Sequence, residues 1–220
     1  YGQFFILFGL ILVGYYCNKK GYLPMETNKN VGNMVMRVTI PAMLITTIAG
    51  IEITDRVLKA FLFSAAGQAA MMVVFGFLMR QYGRKRGLDS RLLPMLDLTA
   101  GSLNTGFIGL PVTMIFFGQA GIIYMSAGVL ALNLYLWSYG VYLISDKKVT
   151  GAAAIGKSFL QGAINPNCIS ILLGLLLAVT HTARFVPTVV LGFLTKVGDL
   201  STPLSLIYIG ALAGGSGIVQ

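Results

Sequence analysis

Apolar runs and short polar interruptions alternate along this chain. Runs near residues 3–17, 57–79, 92–117, 121–145 and 168–180, one ending near 49 and one from about 198 onward, predict about seven helices. Each is near the roughly 20 residues that an α-helix needs to cross the hydrocarbon core of a bilayer. The interruptions carry the stop signals. Asn18, Lys19, Lys20 and Gly21 end the first run; Leu23, Pro24 and a polar stretch over 26–33 lead as a surface connection into the second. Residues 80–91 and 146–157 form basic loops, Asn165 and Pro166 open the sixth run, and Phe185, Val186 and Pro187 lead through an amphipathic connection to the seventh, with Lys196 and Asp199 at its start.

Composition fits that pattern. With 56% hydrophobic and 10% charged residues and a mean hydropathy of +0.80, the chain has too little polar surface to cover a soluble globule. Seven spans leave no length for a soluble domain, so the fold class is an all-α membrane protein in contact with the lipid bilayer. The net charge of +9 does not indicate a nucleic-acid partner, because the basic residues fall between the apolar runs, where they report orientation. With the N-terminus outside, inner loops hold Lys19, Lys20, Lys29, Arg80, Arg84, Lys85, Arg86, Arg91, Lys147, Lys148 and Lys157, and outer ones only Arg56, Lys59 and Arg184. The expected location is the cell membrane, multi-pass, in that orientation. Cys17, Cys168 and the single histidine, His181, have no metal-ligand spacing, and the spans hold no nucleophile–base set. Neither a metal, an organic cofactor nor an enzyme is expected.

The fourth run contains the most unusual stretch. Gly101, Gly106 and Gly109 lower helix propensity, and Pro111 removes an N–H and clashes with the carbonyl four residues back. Two readings follow: a packing kink, or a broken helix whose released backbone groups line a cavity beside Asn104 and Thr105. Pro41 predicts a second kink or break over 39–44. Arg37 reads as a snorkelling cation. Gln68, central in the third run, either bonds a neighbouring helix or faces a cavity. Asp97 is either an interfacial ion pair, with Arg91 as the available cation, or a proton or sodium site. Asn133 and Trp137 lie one turn apart on one helical face.

The punctuation also repeats. Gly9, Leu10, Ile11 and Leu12, then Pro24, then Pro41 before Ala49 and Gly50, are echoed by Gly174, Leu175, Leu176 and Leu177, Pro187, and Pro203 before Ala213 and Gly214. Five spans separate the first helix from its echo, so the two units enter the membrane with opposite sense, as in inverted-repeat secondary transporters.

At this point the chain resembles a known family. Asn104, Thr105, Gly106, Phe107, Ile108, Gly109, Leu110 and Pro111, with Pro41, the 133–137 segment and the 203–210 segment, are similar to the auxin efflux carrier family, which includes plant PIN carriers and bacterial organic-anion carriers. The resemblance implies inverted five-helix repeats with a broken crossover helix, seven of an expected ten helices being present. It implies scaffold helices over 1–50 and 165–220, transport-domain helices over 51–145 and a cytoplasmic loop over 146–164. It implies substrate contacts at Asn104, Thr105, Gly106 and Asn133, hinges at Gly101, Gly109, Pro111 and Pro41, and a homodimer through helices 2 and 7.

The expected function is a secondary carrier of a small organic anion, most simply a carboxylate, working by alternating access, with proton or sodium coupling and Asp97 as the candidate coupling residue. A seven-helix receptor without transport activity is the alternative. Because the chain starts at Tyr1 in apolar sequence and the second repeat stops two helices in, the natural protein is expected to continue for roughly 80 to 100 residues. That extension should include a second broken span.

Overall fold

The computed structural model of the protein describes residues 2–144 and 164–215. The basic loop holding Lys147, Lys148 and Lys157 lies outside the described residues, as does the side chain of Trp137. Among the described residues every regular element is a helix. Among the described residues four stretches are long and apolar enough to cross a membrane: Met25–Ala49, Asp55–Lys85, Leu93–Gly140 and Thr188–Gly215.

Helix α1 (Gly2–Lys19) ends where Gly21 takes a φ of +76°, and the Asn18 amide closes the turn by donating to the Leu23 carbonyl at 2.9 Å. The polar stretch after Pro24 is not a surface connection. It is helical from its first residue, as α2 (Met25–Met34), because Pro24 sets the φ of the N-cap and no breaker follows. Its polar side chains have a use: Asn28 is fully buried and donates to the Tyr208 carbonyl at 3.2 Å. Instead of a break at Pro41, a π-helical turn (Val35–Thr39) joins α2 to α3 (Ile40–Ala49). A proline cannot donate to the carbonyl four residues back, and the wider turn accommodates that gap without interrupting the helix. Arg37 is exposed on this turn, as a snorkelling cation requires.

Helix α4 (Asp55–Lys85) starts at the Thr54 cap, whose hydroxyl accepts the Val57 N–H at 3.3 Å. The sequence predicts a stop near Met79. The helix runs on to Lys85, with Gly83 packed against Leu93 and Leu96, and Gly87, with φ +70°, follows its end. Arg80 is therefore a helix residue and not part of a loop. Next come α5 (Leu93–Gly101), a π turn (Thr105–Gly109) and α6 (Leu110–Tyr135). Helix α6 is two helices meeting at Gly118, whose φ of +63° and ψ of −159° suit only glycine. A further π turn (Leu136–Gly140) leads to α7 (Val141–Ile144). After α8 (Pro166–Val179), a 3-10 turn (Thr182–Phe185) precedes α9 (Thr188–Asp199) and α10 (Ser201–Gly215).

Packing divides the chain into two units. One comprises Tyr1–Ile53, Thr105–Ser126 and Ser170–Gln220; the other comprises Thr54–Asn104 and Ala127–Ile169. In the first unit α1 and α10 lie backbone against backbone. A Cβ on Gly14 would overlap the Ile207 carbonyl, and one on Gly210 would overlap the Ile11 carbonyl. The small-residue face of the seventh predicted helix is thus filled by α1 of the same chain. In the second unit α4 packs along α5, and Met72, Ala131 and Tyr135 form a buried core with Leu98 and Leu103 against it.

Candidate functional site

The fourth predicted span is interrupted, within narrower limits than its glycines and proline suggest. Helix α5 stops at Gly101, and Ser102 is extended (φ −79°, ψ 93°). The Ser102 N–H and hydroxyl both donate to the Leu98 carbonyl, at 3.0 and 2.6 Å, and so satisfy the end of α5. Only residues 102–104 lie outside helix; Gly106, Gly109 and Pro111 are helical. Pro111 is tolerated because the π turn over Thr105–Gly109 runs directly into it, as the Val35–Thr39 turn runs into Pro41, and accommodates the missing N–H.

Thr105, at the start of the second half, is 4% exposed and its hydroxyl has no hydrogen-bond partner among the described residues. Asn104 is exposed. Gly106 faces the Met36 sulfur, and Phe107 stacks on the Tyr208 ring with centroids 4.6 Å apart. Of the residues singled out from sequence, Pro41, Thr105, Gly106, Gly109 and Pro111 belong to the first unit, and Asp97, Gly101, Asn104 and Asn133 to the second.

Asp97 is fully buried in the second unit. Its Oδ2 accepts from the Tyr139 hydroxyl at 3.0 Å and lies 3.5 Å from Nη1 of Arg80. Asp97 therefore forms an ion pair, with Arg80 and not Arg91 as its partner. Arg80 reaches inward because α4 extends past Met79, whereas Arg91 lies beyond the end of α4, exposed, its backbone N–H donating to Asp89. Among the described residues Asp97 Oδ1 and the Tyr135 hydroxyl have no hydrogen-bond partner.

Two glycines make room for this group. A Cβ on Gly76 would overlap the Asp97 carboxylate, and one on Gly101 would overlap the Tyr135 hydroxyl. Gly101 thus acts here as a close-approach site beside Asp97. Gln68 donates to the Ser64 hydroxyl at 3.0 Å and its carboxamide lies over Gly128, so it serves helix contact. Asn133 donates to Val129 of its own helix at 2.8 Å. Sequence reasoning missed Arg80, Tyr135 and Tyr139. The spacing of Gly76 and Arg80, four apart on one helical face, was the available signal.

The family model described as membrane transport protein matches residues 1–215. The chain belongs to this family. The membrane transport protein family includes the auxin efflux carrier-like proteins, so the resemblance carried by residues 104–111 holds. A protein of Methanothermobacter thermautotrophicus described as an uncharacterized transporter is 26% identical over 205 residues, covering 91% of this chain and 64% of that relative. The chain thus spans about 64% of the length of the curated relative it matches. Family membership and the apolar helices together make this a multi-pass membrane protein.

Proposed function

We propose that the intact protein is a secondary carrier that moves a small organic anion, a carboxylate, by alternating access. The observation that carries this reading is the interruption at residues 102–104, followed at once by a buried threonine hydroxyl without a partner among the described residues. A helix start presents backbone N–H groups without intrahelical acceptors and the positive end of a dipole, which suit a carboxylate without a full counter-charge. In this reading Asn104, Thr105, Gly106 and Asn133 contact the anion, and Gly109, Pro111 and Pro41 serve as hinges. The architecture is an inverted repeat in which a second broken span crosses the first. The plasma membrane and an external N-terminus complete it. A homodimer through helices 2 and 7 would use faces of α10 other than the stripe that α1 fills. In this reading transport is coupled to protons or sodium, with Asp97 as the candidate coupling residue beside Arg80.

The test is uptake of labelled mono- and dicarboxylates by the full-length protein in proteoliposomes under imposed proton or sodium gradients. Asn104→Ala is expected to lower the initial rate about 10-fold or more, the cost of one hydrogen bond to a charged group, with folded yield unchanged. Asn133→Ala should have a smaller effect, because its amide is already bonded within its helix. No counterflow of any carboxylate, or full activity in a well-folded Asn104→Ala protein, would reject the reading.

A further inference from the structure

In the second unit three buried polar atoms around Asp97 have no hydrogen-bond partner among the described residues: Asp97 Oδ1, Arg80 Nε and the Tyr135 hydroxyl. Buried polar groups are ordinarily paired, so an unpaired acceptor and two unpaired donors in one cluster need a reason. A carboxylate and a guanidinium held together for structure alone commonly share two parallel bonds. Here a single contact at 3.5 Å joins Oδ2 to Nη1, and Nε takes no part. The attraction therefore offsets the burial of the charges only in part.

The surroundings of Oδ1 suit a proton better than a metal ion. Oδ2 already accepts from the Tyr139 hydroxyl and faces Arg80, while Oδ1 lies against Gly76. A Cβ on Gly76 would overlap Oδ1 and meet the Tyr135 hydroxyl at 3.0 Å, so both unpaired oxygens border the same glycine. A protonated Oδ1 is a donor, and the Tyr135 oxygen is placed to accept from it, directly or through one water. A metal ion needs several acceptor oxygens and is repelled by the guanidinium. The titratable groups facing Asp97 are Arg80 from α4 and Tyr135 and Tyr139 from the end of α6 and the π turn after it; Tyr142 of α7 is exposed.

Neutralising Asp97 removes the charge that holds Arg80. The Arg80 side chain is 29% exposed, five residues before the end of α4, with Arg84 exposed one turn further on. A guanidinium keeps its charge, so beside a neutral carboxylic acid it is better placed in solvent. The cluster also touches the broken span. Asp97 is one turn before Gly101, where α5 stops, and a Cβ on Gly101 would overlap the Tyr135 hydroxyl. A change of partner at Asp97 thus acts on the residue at which the fourth span is interrupted.

We propose that Asp97 is a proton-binding site with two pairing states. In one it is ionised and held by Arg80 and Tyr139; in the other it carries a proton on Oδ1, donates toward the Tyr135 hydroxyl and releases Arg80. The proton comes from solvent on the Arg80 side, Arg80 stays charged and both tyrosines keep their hydroxyl protons. The site rests on the carrier reading only for its use in coupling, where it selects the proton over sodium.

Infrared difference spectra of the purified full-length protein, recorded over the pH range in which its near-ultraviolet circular dichroism is constant, read the site without transport. A carboxylic-acid band is expected on acidification, lost in Asp97→Asn and shifted in Tyr135→Phe, where the acid loses its acceptor. In proteoliposomes, a gradient of one pH unit sustains up to about 10-fold accumulation of an anion that moves with one proton. The parent is expected to accumulate a labelled carboxylate in this way. Asp97→Asn should show no accumulation above empty vesicles, any remaining counterflow should be independent of pH, and Glu52→Gln, an exposed carboxylate outside the cluster, should behave as the parent. The absence of an Asp97 band in the folded protein, gradient-driven accumulation by Asp97→Asn, or a parent that responds to sodium and not to pH overturns the proposal. If Asp97→Asn does not fold, an unshifted band in Tyr135→Phe overturns it. A parent without counterflow rejects the carrier reading instead, and the infrared result still decides the proton site.

Discussion

Gly210→Ala is expected to destabilise the protein by roughly 3 kcal/mol, the upper part of the usual range for overpacking a close contact. The added methyl would overlap the Ile11 carbonyl and come within 2.9 Å of the Tyr15 backbone nitrogen. Both obstacles are main chain, so no rotamer change relieves them, and α1 must move away from α10 along the shared face. Gly14 makes the reciprocal contact with Ile207, and Gly14→Ala should cost a similar amount. The double variant should cost clearly less than the sum, because the helices are already parted after the first substitution. Gly9→Ala is the control, since nothing lies within 4 Å of the added atom. Equilibrium unfolding in mixed micelles checks all four proteins. A Gly210→Ala protein as stable as Gly9→Ala would show that α1 does not occupy the small face of α10. Cysteines placed on that face should correspondingly fail to crosslink two copies.

The second large effect concerns Arg80. Removing one partner of a buried ion pair leaves the other charge uncompensated, which typically costs about 3 to 5 kcal/mol. Asp97 is fully buried while the Arg80 side chain is 29% exposed, so Arg80→Ala is expected near the lower end, at about 3 kcal/mol. Tyr139→Phe should cost about 2 kcal/mol, because it removes a hydrogen bond to a charged oxygen. The Arg80→Met/Asp97→Leu pair should recover to within about 1 kcal/mol of the parent, since two apolar side chains avoid the desolvation that the ion pair incurs. These values come from unfolding of the same purified protein. Full stability of Arg80→Ala alone would mean that Asp97 does not depend on this guanidinium.

Much of this architecture is local and therefore written in the sequence. The apolar runs, the stop at Gly21 and the interruption after Gly101 follow from propensity, capping and the restricted backbones of glycine and proline, which act within a few residues. The motif at residues 104–111 was legible for the same reason, and it led to the family. Local signals also misled where two of them competed. Pro41 and Pro111 read as breakers, yet a π turn precedes each and accommodates the missing N–H without interrupting the helix.

Arg80 read as a loop cation because apolarity ends at Met79, although hydrogen bonding along the helix does not. What tertiary structure alone decided is which residues meet. It pairs Asp97 with Arg80 and Tyr139 and sets Gly210 against α1. Periodicity states which face of a helix is apolar or small, but a partner is chosen by complementary shape and charge between segments far apart in the chain. That choice exists only once the helices have packed.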